Sequence, residues 1–270
     1  MIHSPFLDAA VDGARRAGRL QMDGFRRGVR VDRKGAIDLV TEIDIAVERM
    51  LRAHFLEHFP DHAILAEELG GPESTETFSH LWIVDPLDGT TNFAHGLPLF
   101  SVSIALEVSG ALEVGVVYDP TRDELFAAER GRGAWLNGER LRVSRAETLV
   151  ESVLCTGFPY DVHQTLDDII ALFAAFVGRA RGVRRLGSAA LDLSYVAAGR
   201  LDGFWEQRLR PWDIAAGALL VAEAGGRVTD WSGGAFRAQQ HAVLASNGRI
   251  HDDMMAVIDG HTRRAASGHS

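Results

Sequence analysis

The sequence is poor in cysteine and in positive charge. Its single cysteine, Cys155, rules out a disulfide within the chain, and the apolar segment SVLCTG predicts a core position for it. The 28 Lys and Arg residues against 37 Asp and Glu give a net charge of -9. This balance argues against nucleic-acid binding as the main function, because a phosphate backbone favours a basic surface.

Long apolar runs are also missing. The N-terminal segment contains Asp8 and Asp12, so neither a signal peptide nor a transmembrane helix is predicted. We therefore expect a cytoplasmic protein without a membrane partner. With 270 residues, 46% hydrophobic and 24% charged, the chain has an ordinary globular composition.

The spacing of apolar residues changes along the chain. Residues 6–26 and 41–59 are predicted to form amphipathic helices, with a polar loop around Lys34 and Gly35 between them. The segments AILAE, LWIVD, FSVSIALEV, LEVGVVYD and ELFAAE predict strands, and Asn137-Gly138 predicts a hairpin turn. After about residue 150, strands alternate with helices predicted near 164–177, 188–199, 212–224 and 248–259. This order favours a layered α+β or α/β fold.

Carboxylates recur where the apolar segments end. They follow strands at Glu67, Glu68, Asp85 and Asp88 and lie near helix starts at Asp38, Asp44 and Asp213. Each alone has a local explanation as a turn or cap residue. If these carboxylates meet in one cleft, two of them about 4 Å apart repel each other by roughly 4 kcal/mol at an effective dielectric near 20. Such a cleft would need bound cations to offset the repulsion. Oxygen ligands without His or Cys favour Mg²⁺ or Mn²⁺, which suit displacement at phosphorus.

The segment WIVDPLDGTTNF adds groups that suit a phosphate. Gly89 permits close approach of a ligand, and a helix beginning after it would direct the amides of Gly89 and Thr90 at a phosphate. Its aspartates lie three residues apart, whereas haloacid-dehalogenase-type phosphatases carry D-x-D-G-T. This spacing does not predict an aspartyl-phosphate, so water is the expected nucleophile.

Four segments together resemble the inositol monophosphatase family of Mg²⁺-dependent, lithium-sensitive phosphatases, whose superfamily includes fructose-1,6-bisphosphatase. The segments are AEELG, WIVDPLDGTTNF, GSAALDLSYVAAGRLDGFWE and PWDIAAGALLVAEAGG, in this order over roughly residues 34–230. The resemblance implies an α-β-α-β-α layered sandwich, usually a homodimer. It also implies that residues 1–150 carry the metal-binding motifs, that residues 151–262 complete the active site, and that residues 263–270 form a disordered tail.

The resemblance implies a role for each matching position. Two to three Mg²⁺ ions, with Mn²⁺ as a substitute, would be held by Glu67, Asp85, the backbone carbonyl of Leu87, Asp88 and Asp213. The catalytic residues would be Thr90, paired with Asp44, and Glu67. Substrate contacts would come from Asp88, Gly89, Thr90, Gly187, Ser188, Ala189, Glu206 and Asp213, with Lys34 and Asp38 near the metal loop.

The implied activity is hydrolysis of a small phosphorylated polyol or sugar by metal-activated water. Thr91 after DGT, and Glu206 seven residues before Asp213, favour inositol monophosphate as the substrate. Histidinol phosphate, fructose-1,6-bisphosphate and other sugar phosphates remain alternatives. An alternative of another class is a partner- or RNA-binding regulatory protein on the same fold.

Two other patterns receive structural interpretations. HFLEH, from His54 to His58, matches a zinc-protease motif but ends an amphipathic helix, where surface residues are expected. The basic stretch of Arg179, Arg181, Arg184 and Arg185 is interpreted as a solvated edge or as charge near the phosphate site.

Overall fold

The computed structural model describes residues 4–28, 31–33, 39–72, 78–159 and 161–267. The α-helices are α1 (Pro5–Arg27), α2 (Glu42–His58), α3 (Thr90–Ala94), α4 (Leu166–Val177), α5 (Ala189–Ala197), α6 (Pro211–Glu223) and α7 (His251–Ser267). The first nine strands are β1 (Val31–Arg33), β2 (Leu39–Thr41), β3 (Ala63–Ala66), β4 (His80–Asp88), β5 (Ser101–Val108), β6 (Ala111–Asp119), β7 (Glu124–Glu129), β8 (Gly133–Leu136) and β9 (Glu139–Arg140). The remaining strands are β10 (Val153–Thr156), β11 (Gly182–Arg184), β12 (Gly203–Gln207), β13 (Arg227–Thr229) and β14 (Ala242–Ser246).

Two larger sheets form the frame of the molecule. A seven-stranded sheet has the order β3-β4-β5-β6-β7-β8-β9, and a five-stranded sheet has the order β11-β10-β12-β14-β13. In the first sheet β3 runs parallel to β4, while the other neighbours are antiparallel. The short strands β1 and β2 pair with each other.

Alternate residues of β4 separate two apolar cores. Trp82 and Val84 pack with α1 and α2, whereas Leu81 and Ile83 point to the opposite face and pack with α5 and α6. A third core lies on the outer face of the five-stranded sheet, where α4 and α7 cover it. The layers therefore run α-β-α-β-α, and the predicted sandwich is confirmed.

Several local predictions are confirmed. The two N-terminal helices and the strands of the seven-stranded sheet lie where the apolar pattern places them. Asn137 and Gly138 both have positive φ, 49° and 87°, as the hairpin between β8 and β9 requires. Cys155 is fully buried. None of the helices within the described ranges is long and apolar enough to cross a membrane.

Three features differ from the predictions. The polar loop contains the short strands β1 and β2, while Lys34 and Asp38 lie outside the described residues. Helix α7 continues to Ser267, so residues 263–267 of the predicted disordered tail are helical and residues 268–270 lie outside the described residues. His54 is not a surface residue: its ring is buried against α1, with Nε2 2.9 Å from the Ala9 carbonyl oxygen.

Candidate active site

A cavity of about 790 Å³ lies where β4 ends. Its lining includes Glu67, Asp85, Leu87, Asp88, Gly89, Thr90, Gly187, Ser188, Ala189, Glu206 and Asp213. These are the predicted metal and substrate positions, and Asp44 lies behind Thr90. The structure therefore places the predicted site residues together, although they come from distant parts of the chain.

The parallel pairing of β3 with β4 brings the first two carboxylates to one sheet edge. Ala66 is paired with Val84 at the end of the β3–β4 pairing, so the next residues, Glu67 and Asp85, lie side by side. Asp85 is buried, and its pKa is raised well above the usual range by desolvation, then by the charges of Glu67, Asp88 and Asp213. The pKa of Asp85 thus reflects the convergence of four acidic side chains.

A bulge in β4 directs Asp88 into the cavity. Asp85 pairs with Ser103 and Asp88 with Ser101, so three steps on β4 match two steps on β5. Asp85 Oδ1 accepts a hydrogen bond from the Leu87 amide at 2.9 Å, which stabilises the bulged segment. The extra residue turns the end of β4 out of regular pairing, with both aspartates on the cavity wall.

Helix α5 begins against Asp88. The Asp88 Oδ2 accepts hydrogen bonds from Ser188 Oγ at 2.5 Å and from the Ala190 amide at 2.8 Å. Burial raises the pKa of Asp88 to about 6, although these donors act in the opposite direction. The same contacts fix Ser188 and Ala189 at the cavity, since Ser188 also caps α5.

Helix α6 supplies the fourth carboxylate. Asp213 lies in its first turn, and Asp213 Oδ2 accepts a hydrogen bond from the Arg210 amide at 2.7 Å. Desolvation raises the pKa of Asp213 well above the usual range, and the charges of Glu67, Asp88 and Glu206 raise it further. Asp213 is therefore not the N-cap itself, which is Arg210; it is the third residue of α6 and binds the N-cap amide while lining the cavity.

The donor set fits hard divalent cations. Glu67, Asp85, Asp88 and Asp213 offer carboxylate oxygens, and the Leu87 carbonyl lies among them, whereas no cysteine lines the cavity. Within the described part of the chain, no three His, Cys, Asp or Glu side chains are already arranged as a complete site for one ion.

Thr90 connects the cavity to α2. Its Oγ1 donates to Asp44 Oδ1 at 3.1 Å and is 2.9 Å from the Leu87 carbonyl oxygen. Asp44 Oδ2 accepts from the amide and the hydroxyl of Thr41, at 2.8 and 2.5 Å, in a capping box. One carboxylate therefore caps α2 and binds Thr90. Desolvation raises the pKa of Asp44, while the hydrogen bonds from Thr41 and Thr90 lower it.

Gly89 makes the close turn between β4 and α3. Its φ is 95°, and a Cβ at this position would lie 2.9 Å from the Leu99 carbonyl oxygen. The turn therefore requires glycine for both conformation and space. Helix α3 begins at Thr90 as predicted, although it is only five residues long.

The cavity wall also contains Asp192, which the sequence reasoning did not single out, and Arg185, which it interpreted as part of a solvated edge or as charge near the phosphate site. Asp192 is buried on α5 with an unpaired Oδ1, and desolvation followed by the charge of Glu206 raises its pKa well above the usual range. Arg185, from the predicted basic stretch, lies over the Phe158 ring at 5.7 Å. Asp192 lies within the apolar segment AALDLSYV, and a charged residue in such a segment was the feature of the sequence that could have identified it as a candidate site residue. For Arg185 the basic stretch was the signal, and the structure places this member of it on the cavity wall.

Glu206 lies between these groups. It is buried on β12, and desolvation raises its pKa to about 8, with Arg185 opposing the shift and Asp88 adding to it. A Cβ on Gly157 would lie 2.1 Å from Glu206 Oε2, so Gly157 leaves the space that this carboxyl occupies. The cavity thus has a carboxylate-rich end at β4 and a mixed wall around Glu206 and Arg185.

Comparisons with known proteins agree with this architecture. A model of the inositol monophosphatase family matches residues 3–263, and the chain belongs to this family. It is 47% identical over 262 residues to Nus factor SuhB of Pseudomonas aeruginosa, covering 95% of this chain and 97% of that protein. It is 45% identical over 260 residues to an inositol-1-monophosphatase of Mesorhizobium japonicum, covering 96% and 97%. The crystal structure of extragenic suppressor protein suhB from Bartonella henselae matches with a TM-score of 0.88 at 41% identity, covering 94% and 98%.

Proposed function

We propose that this protein is a Mg²⁺-dependent phosphomonoesterase and that its substrate is inositol monophosphate. The observation that carries the proposal is one cavity that combines four converging carboxylates with the Thr90–Asp44 pair. The family membership supports phosphatase chemistry, and a 45% identical relative is named inositol-1-monophosphatase.

The candidate ligands of the cations are Glu67, Asp85, the Leu87 carbonyl, Asp88 and Asp213. When bound, divalent cations neutralise charge on the phosphoryl group and lower the pKa of water. The carboxylates themselves are held at fixed positions, Asp85 by the Leu87 amide and Asp213 by the Arg210 amide. Ser188 and Ala190 do the same for Asp88. Such second contacts orient ligands for binding.

Thr90 and Asp44 would orient the attacking water. Because the Thr90 hydroxyl can donate a hydrogen bond to Asp44, the lone pairs of Oγ1 can accept a hydrogen bond from a water molecule in the cavity. As that water attacks, its proton would pass to Thr90 Oγ1 while the hydroxyl proton passes to the Asp44 carboxylate. Asp44 is buried, so it keeps this orientation without competition from bulk solvent. The water would then attack phosphorus in line with the leaving alcohol.

The alcohol half of the substrate would lie along the wall formed by Ser188, Glu206 and Arg185. A buried carboxyl such as Glu206 suits recognition of hydroxyl groups, because it can accept a hydrogen bond and, when protonated, donate one. These groups also suit histidinol phosphate and fructose-1,6-bisphosphate, which remain alternative substrates. The homodimer stays a prediction.

A second candidate function is regulatory. The 47% identical relative from Pseudomonas aeruginosa is named a Nus factor, and this name alone supports a role in binding a partner. The two functions make different demands on the cavity. Only the phosphatase proposal requires the carboxylates to act in turnover.

The test measures phosphate release with and without Mg²⁺ and Li⁺. The panel contains inositol-1-phosphate, histidinol phosphate, fructose-1,6-bisphosphate and 3′-phosphoadenosine-5′-phosphate. We expect Mg²⁺-dependent release, highest with inositol-1-phosphate, and inhibition by Li⁺. Asp88→Asn should lower turnover at least ~10²-fold, because it removes the charge of one candidate ligand.

The matched control is Asp23→Asn, which makes the same chemical change at an exposed position of α1. This variant should retain wild-type turnover. Wild-type turnover by Asp88→Asn would refute the assignment of Asp88. Absence of release from every ester would refute the enzymatic proposal and favour the regulatory candidate.

A further inference from the structure

Glu48 is a buried charged residue outside the cavity. It lies on α2, one helical turn after Asp44, and its side chain has no solvent exposure. Its partners lie 20 and 21 positions further along the chain: Glu48 Oε2 accepts from the Glu68 amide at 2.7 Å, and Oε1 accepts from the Leu69 amide at 3.0 Å. A buried carboxylate is therefore committed to two backbone groups of a single turn.

Arg52 completes the contact. Its Nε donates to Glu48 Oε1 at 2.9 Å, and its guanidinium also donates to the Gly70 carbonyl oxygen. The Glu48–Arg52 pair thus binds both the amides and a carbonyl of residues 68–70. We call this pair and its backbone contacts the α2 clamp.

The clamped turn begins with Glu67. The Ala66 amide donates to the Gly70 carbonyl oxygen at 3.2 Å, so residues 67–69 form a closed turn at the end of β3. Gly70 has a φ of 71°, which favours glycine at this position. With Ala66 fixed in the sheet and residues 68–70 fixed by the clamp, the backbone of Glu67 has little freedom.

We propose that Glu48, supported by Arg52, is a positioning residue that holds Glu67 in the cavity. This inference rests on the proposed function, because it concerns one of the candidate cation ligands. Glu48 itself does not line the cavity. It acts through the backbone of the turn, and α2 thereby positions both Thr90, through Asp44, and Glu67, through Glu48.

The test is equilibrium binding of Mn²⁺, measured by electron paramagnetic resonance on the full chain. Glu48→Gln retains the shape of the side chain but places an amide donor against a backbone donor. We expect its Mn²⁺ affinity to fall at least ~10-fold, the lower end of the effect of removing a group that orients a ligand. Phosphate release by this variant should recover toward the wild-type rate as the Mg²⁺ concentration increases.

Glu57→Gln is the matched control, since Glu57 is an exposed residue of the same helix. It should bind Mn²⁺ as the wild type does. Arg52→Lys is a second, milder variant that retains the charge and loses the guanidinium contacts. It should weaken Mn²⁺ binding in the same direction as Glu48→Gln, and it keeps the test decisive if Glu48→Gln does not fold.

A double-mutant cycle separates positioning from general destabilisation. If Glu48 acts through Glu67, adding Glu48→Gln to Glu67→Gln should change Mn²⁺ affinity less than ~2-fold, because coupled residues are not additive. The inference would be overturned if Glu48→Gln weakened Mn²⁺ binding equally in the wild type and in Glu67→Gln. It would also be overturned if both Glu48→Gln and Arg52→Lys bound Mn²⁺ with wild-type affinity. Absence of Mn²⁺ binding and of phosphate release in the wild type would instead overturn the proposed function, and the inference with it.

Discussion

Thr90 Oγ1 lies 3.1 Å from Asp44 Oδ1, although the two residues are 46 positions apart in the sequence. The contact joins the turn after β4 to the first turn of α2. Asp44 is held by its capping box with Thr41, so the Thr90 hydroxyl meets a carboxylate of fixed orientation. This relationship supports a role for Thr90 in the chemical step.

Thr90→Ala tests that role. We expect kcat at saturating Mg²⁺ to fall at least ~10²-fold, the usual contribution of a positioned proton acceptor, while Mn²⁺ affinity stays within ~3-fold of the wild type. Thr90→Ser retains the hydroxyl and should preserve most of the activity. Thr148→Ala makes the same chemical change at an exposed position outside the cavity, and as the control it should leave kcat unchanged. Loss of Mn²⁺ binding with normal turnover at high Mg²⁺ would contradict the assignment.

The buried acids predict how stability depends on pH in the cation-free protein. Burial raises the pKa of Asp88 to about 6 and that of Glu206 to about 8, from ordinary values of 3.8 and 4.5. Between the ordinary and raised values, the folded state retains a proton that the unfolded state has released. The resulting stability is present below the ordinary values and is lost as pH rises through about 6 for Asp88 and about 8 for Glu206.

Calorimetry in chelator should therefore give a lower Tm at pH about 9 than at pH about 5, and Mg²⁺ should reduce this difference. Glu206→Gln mimics the protonated side chain. At the higher pH we expect it to unfold at least ~3 °C above the wild type, with a smaller difference at the lower pH. A wild-type Tm that rises with pH in chelator would show that these acids are not protonated in the folded state.

Gly157→Ala tests the role of Glu206 in substrate binding. The added Cβ would lie 2.1–2.2 Å from the carboxyl atoms of Glu206, so this side chain must rotate away. We expect KM for inositol-1-phosphate to rise ~10-fold with kcat within ~3-fold, the pattern of lost binding that is common to ground and transition states. Gly178→Ala is the control, since the nearest atom to its Cβ would be the Ala174 carbonyl oxygen at 3.5 Å, an ordinary contact distance. Unchanged KM in Gly157→Ala would exclude Glu206 from substrate contact.

The apolar pattern predicted most of the elements, because burial on one face determines both spacing and secondary structure. The convergence of Asp85 and Asp88 with Glu67 was predicted from the recurrence of carboxylates at the ends of apolar segments and from the family resemblance. The bulge between Asp85 and Asp88 could not be predicted, because it exists only relative to the partner residues Ser103 and Ser101 of β5. Register across strands is a tertiary property that the sequence of one strand does not contain.

The α2 clamp shows a second limit. Ile43, Val47 and Leu51 are buried apolar residues of α2, and Glu48 is buried beside Val47. From the sequence alone, a glutamate at position 48 is interpreted as the edge of the apolar face of α2, because the groups that it binds are not known. The groups that Glu48 binds are backbone amides of another segment. Every residue except proline has a backbone amide, so the residue types in that segment do not indicate the contact. The only feature of the sequence that pointed to this contact was the spacing of Asp44 and Glu48, which lie one helical turn apart.

The middle helical layer of the sandwich connects the apolar core to the cavity. Helices α5 and α6 pack in one core with Leu81 and Ile83 from the seven-stranded sheet and with Phe204 and Ala245 from the five-stranded sheet. The two halves that the sequence suggested therefore share an interior, and we expect them to unfold as one cooperative unit. Ser188 and Asp213 stand at the N-terminal ends of these helices. A loss of packing deep in this layer, far from the cavity, would consequently displace Ser188 and Asp213, which line the cavity.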